Sequence, residues 1–83
     1  MKTVLVVLIH KRRSAAVKVQ RILTEFGCII KTRLGIHDGV IDKCSDTGLL
    51  ILELAGENKQ KKELSGKLNK LSGVKTKLVN LSF

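Results

Sequence analysis

The sequence predicts an α+β domain in the order strand, helix, strand, strand, helix, strand, with an antiparallel four-stranded sheet and both helices on one of its faces. Three observations predict it. Apolar runs at residues 3–10 and 49–55 are continuous enough to be central strands, whereas 28–36 and 74–82 alternate apolar with basic residues as edge strands do. Two stretches between them carry apolar residues at helical spacing. A helix follows the first and the third strand, and this order is that of the ferredoxin-like split βαβ arrangement.

Residues 3–10 (TVLVVLIH) form the first strand, rich in β-branched residues and without a polar face. Ser14 opens SAAVKVQRILTEFG, where Ala15, Ala16, Val19, Ile22, Leu23 and Phe26 share one side of a helix. Ser14 is placed to cap it and Gly27 to take a left-handed turn at its end. Residues 28–36 (CIIKTRLGI) are the second strand. Residues 37–48 (HDGVIDKCSDTG) follow as a polar hairpin connection with turn chemistry at Asp38-Gly39 and Asp46-Thr47-Gly48. Residues 49–55 (LLILELA) are the third strand. The second helix lies in ENKQKKELSGKLNKLSG, with Asn58 as its cap, Leu64, Leu68 and Leu71 on one stripe, and Gly73 ending it. Gly66 weakens that helix by about 1 kcal/mol relative to alanine. Residues 74–82 (VKTKLVNLS) are the fourth strand.

The whole chain, 1–83, reads as a single small domain, 43% hydrophobic and without proline. Strands 1 and 3 have no polar face, so helices on one side leave apolar residues uncovered on the other. A homodimer or homotetramer stacked through the exposed sheet face is the expected cover. The N-terminal run from Val4 to Ile9 is too short to span a bilayer and lacks a cleavage site for a signal peptide, so the reading is cytoplasmic, with no membrane association. Cys28 and Cys44 then read as thiols rather than a disulfide.

Sixteen basic against seven acidic residues give a formal charge of +9. The bland interpretation is a solvated surface. The sharper one is an anionic partner, with basic residues densest at Lys11, Arg12 and Arg13 and again at Lys59, Lys61 and Lys62. The loop before the first helix combines three cations with the unpaired N–H groups of a helix start, and Lys11, Arg12, Arg13, Ser14 and Arg33 are the candidate ligand-binding residues. DNA bound through the helix face and the Lys11 to Arg13 loop is the alternative. Single-strand recognition is disfavoured, since no aromatic stacking platform is available.

No pairing of nucleophile with base stands out, and there is no phosphate-binding glycine loop and no CxxC or HxxxH spacing. The chain reads as a non-enzyme without catalytic residues or cofactor. His37 and Cys44 are weak metal candidates. Their spacing with Asp38, Asp42 and Asp46 fits neither a zinc knuckle nor a calcium loop, so a metal sensor ranks below both other readings.

RSAAVKVQRILTEFGCIIKTRLGI together with LSGKLNKLSGVKTK resembles the small ACT-like proteins grouped as iron-only hydrogenase system regulators, over nearly the whole chain. The resemblance implies an oligomeric, ferredoxin-like regulatory domain that senses a small-molecule effector, in a hydrogenase-related, transcriptional setting. It is akin to the C-terminal domain of the nickel-responsive repressor and to amino-acid-sensing ACT domains. It brings no catalytic residue. Where the nickel repressor has a His-x-His pair, this chain reads Arg33-Leu34-Gly35-Ile36, and where amino-acid-binding ACT domains favour a loop glycine it reads His10-Lys11-Arg12-Arg13.

Overall fold

The computed structural model describes residues 1–10, 12–37 and 47–83, the backbone alone at 12–14, 36 and 37. Its elements are β1 (Lys2–Ile9), α1 (Arg12–Glu25), a 3-10 turn (Gly27–Ile29), β2 (Ile30–His37), β3 (Gly48–Leu54), α2 (Asn58–Asn69) and β4 (Val74–Leu81). The strands form one antiparallel sheet in the order β2-β3-β1-β4. The ferredoxin-like α+β prediction is therefore correct, with the two doubly apolar runs at the centre of the sheet.

Pairing register assigns the faces. Thr3, Leu5, Val7 and Ile9 of β1 stand opposite Leu54, Leu52, Leu50 and Gly48 of β3, and these residues are buried beneath the helices. From α1 come Ala15, Val19 and Leu23, and from α2 Leu64 and Leu68, all buried against them. Ile22, Phe26 and Leu71 are packed at the margin of this core. Aliphatic side chains thus supply almost the whole core, as the near absence of aromatics requires.

Several boundaries differ from the sequence reading, each for a local reason. Helix α1 starts at Arg12, so Ser14 belongs to its first turn and is not the cap. Gly27 opens the 3-10 turn, where the Ile29 N–H donates to the Phe26 carbonyl at 3.0 Å. The described glycines with positive φ are Gly56 (88°) and Gly73 (77°). Gly73 fulfils its predicted role after α2. Glu57, not Asn58, caps α2, and the Gln60 side chain reaches back to accept the Glu57 N–H at 3.2 Å.

Strand β2 carries an irregularity. Ile30 stands opposite Leu54 and Thr32 opposite the next residue, Glu53, so Lys31 is one residue more than β3 can pair. Beyond it Arg33 pairs with Leu52, Leu34 with Ile51 and Gly35 with Leu50. Arg33 and Gly35 consequently share the helix side with Leu52 and Leu50, and Leu34 lies on the opposite side with Ile51.

Candidate functional site

Two features on opposite sides of the sheet remain once the core is accounted for. The first is the open face. Val4, Val6 and Leu8 of β1 lie beside Glu53, Ile51 and Leu49 of β3, and the row continues to Leu34 on β2 and Val79 on β4. Leu34 is 52% exposed and Leu8 47%, and no described element covers them. Glu53 is the acidic residue of this face. Its carboxylate lies 3.4 Å from Lys2 Nζ and 3.8 Å from Lys31 Nζ, so its charge is met within its own chain. Lys75 and Lys77 stand at the β4 edge, opposite Leu8 and Val6.

The second feature is a cleft of about 700 Å³ where α1 leaves β2 uncovered. Ile9, Val19 and Leu50 give it an apolar floor, and Gly35 and Gly48 contribute no side chain to fill it. Ala16 and Val17 of α1 face it, Val17 being 67% exposed. Gln20, Arg21 and Arg33 supply its polar groups. Arg33 Nη1 donates to Gln20 Oε1 at 2.7 Å, which ties the guanidinium of the edge strand to the helix opposite. Gln20 Nε2 in turn donates to Thr24 Oγ1 at 3.5 Å, one helical turn on.

The predicted ligand residues are divided by this geometry. Arg33 is in the cleft. Arg12, Arg13 and Ser14 form the first turn of α1, where the backbone alone is described, and Lys11 lies outside the described residues. Gln20, Arg21, Val17 and Gly35 escaped the sequence reading. The signal available for the three on α1 was a second stripe, in which Ala16 and Gln20, and Val17 and Arg21, are each one turn apart beside the core stripe.

Of the metal candidates, His37 ends β2, and Cys44 lies with residues 38–46 outside the described residues. Among the described residues no group of three or more His, Cys, Asp or Glu is placed to hold a metal ion. Cys28 is exposed and free on the 3-10 turn. No described helix is long and apolar enough to cross a membrane. The basic segment 59–62 is divided as well: Lys59 and Lys62 are exposed, but Lys61 is buried.

The family model described as "TM1266-like: Iron-only hydrogenase system regulator, putative" matches residues 2–78. Among solved structures, the uncharacterized protein TM1266 from Thermotoga maritima is similar over 98% of this chain and 96% of its own, at 30% identity and a TM-score of 0.83. A formyltetrahydrofolate deformylase from Pseudomonas putida is similar over 98% of this chain but 29% of its own length, with a TM-score of 0.62. At 15% identity the deformylase shows a shared fold and nothing more. No curated protein sequence matches.

Proposed function

We propose a function from one plain fact, that the chain belongs to the TM1266-like family of iron-only hydrogenase system regulators. On this reading the protein is a non-enzymatic ACT-like regulatory domain that works as a symmetric homo-oligomer and responds to a small-molecule effector. Its setting is cytoplasmic, and the system it regulates is hydrogenase-related.

The observation that carries the proposal is the open face. Four strands about 4.8 Å apart and about 25 Å long present roughly 500 Å² in projection, and side-chain relief enlarges the contact further. That approaches the ~800 Å² per partner of a stable interface. Stacking two copies sheet to sheet removes Val6, Leu8, Leu34 and Ile51 from water and leaves the lysines at the rim. One stacking of this kind closes a dimer, and a second, different contact makes a tetramer.

A native mass spectrum of the purified protein at moderate salt tests this. A dimer or tetramer supports it, and a monomer at micromolar concentration overturns it.

Duplex nucleic acid is the second reading, favoured by exposed Lys18, Arg21, Lys59, Lys62 and Lys70 on the helix layer. Binding of that kind rests on phosphate contacts and falls steeply with salt. Affinity unchanged between low and high salt would exclude it.

A further inference from the structure

We infer that the cleft between α1 and the β2 edge binds a small carboxylate with an aliphatic body and no ammonium group. The inference deepens the effector-sensing part of the function proposed above by naming the chemical class of the effector and where it sits.

Size and lining give the first half of the argument. A cleft of about 700 Å³ is within the range that small-molecule sites occupy. Its space exists because residue 35 is glycine. A Cβ there would already touch Leu50 Cδ2 at 3.4 Å, and any longer side chain on this side of β2 would extend into the cleft. Ile9, Val19 and Leu50 offer nothing to a polar ligand and favour a hydrocarbon body.

Charge gives the second half. Arg21 and Arg33 stand at the lip, and no carboxylate is among the described lining residues. The ion pairs of the described residues involve Lys2, Lys31 and Lys67, so among the described residues neither arginine is paired with a carboxylate. A guanidinium presents parallel N–H groups that match the two oxygens of a carboxylate. Gln20 holds one N–H group of Arg33 at 2.7 Å and so fixes the orientation of the fork before any ligand arrives. An amino acid would bring an ammonium group beside two cations, an arrangement that costs rather than gains. A compact phosphate would leave the apolar floor unused.

The test uses the full ¹⁵N-labelled chain, titrated with octanoate and, separately, with 1-octanol and inorganic phosphate. Saturable amide shifts at Gln20, Arg33 and Gly35 are expected with octanoate. Octanol should bind at least tenfold more weakly, and phosphate should not compete. Arg33→Gln should weaken octanoate at least tenfold and leave octanol unchanged. Gly35→Val fills the floor and should abolish both, with the rest of the spectrum retained. Equal affinity for acid and alcohol, no saturation at millimolar octanoate, or shifts at Val6 and Leu8 instead would each overturn the assignment. So would shifts at the cleft on dilution without ligand, which would mark a second copy as its occupant. A mass spectrum of the same sample separates the two proposals. An oligomer without octanoate shifts refutes the cleft alone, and a monomer with them refutes the assembly alone.

Discussion

Lys61 Nζ donates to Thr3 Oγ1 at 2.9 Å inside the core, and Thr3 Oγ1 donates onward to Asn80 Oδ1 at 2.8 Å. The chain thus joins α2 to β1 and β4 through a lysine that is 6% exposed and a threonine that is 1% exposed. Thr3→Val removes the oxygen at the middle of this relay and leaves a buried ammonium without its acceptor, at a cost of about 2 kcal/mol. Lys61→Met keeps the aliphatic stem and leaves Thr3 its bond to Asn80, so it costs under about 1 kcal/mol. The double variant should be more stable than Thr3→Val alone. Urea unfolding at one fixed protein concentration checks the order.

Two glycines 7 residues apart should respond with opposite sign to alanine. Gly73 has φ +77°, and a Cβ on it would stand 2.6 Å from the His10 carbonyl oxygen, while the His10 N–H donates to the Gly73 carbonyl. Gly73→Ala should therefore cost about 2 kcal/mol or more. Gly66 lies within α2 with nothing within 4 Å of its missing Cβ. Gly66→Ala should stabilise by about 0.5–1 kcal/mol. Thermal unfolding of the two variants beside the parent decides both.

Leu8→Lys and Leu34→Lys place a charge on the open face where the parent exposes leucine. Neither side chain belongs to the core, so each variant should keep its far-ultraviolet dichroism. Each should nevertheless shift the mass distribution to monomer. An unchanged oligomer would move the interface elsewhere.

Glu53 is shared by Lys2 and Lys31, and all three side chains are at least about a third exposed. Glu53→Gln should cost under about 1 kcal/mol, and the difference should shrink further as salt rises. Unfolding at two salt concentrations measures it.

The elements were legible because their signals are periodic. The core stripe of α1, with Ala15, Val19 and Leu23, follows directly from helical spacing, and the central position of β1 and β3 follows from their lack of a polar face. By composition Lys61 reads as part of an exposed basic run, although it precedes Leu64 by three residues and Leu68 by seven and so shares their stripe. Its composition pointed to water and its spacing to the core, and the partner that reconciles them, Thr3, is distant in sequence. Ser14 has the chemistry of a cap, but α1 begins two residues earlier. The cleft was legible only at Arg33, because pairing across a fold determines which side of β2 faces α1. No residue in IKTRLGI marks the surplus at Lys31.

That surplus residue sets the phase of everything after it on β2. Counted from Ile30 with strict alternation, Arg33 would fall on the open face and Leu34 over the cleft, the reverse of what pairing beyond Lys31 produces. A strand slipped by one position would carry a guanidinium onto the open face while removing it from the cleft. The proposed assembly on the open face would therefore discriminate against misaligned β2, and in doing so would proofread a proposed binding site that it never touches.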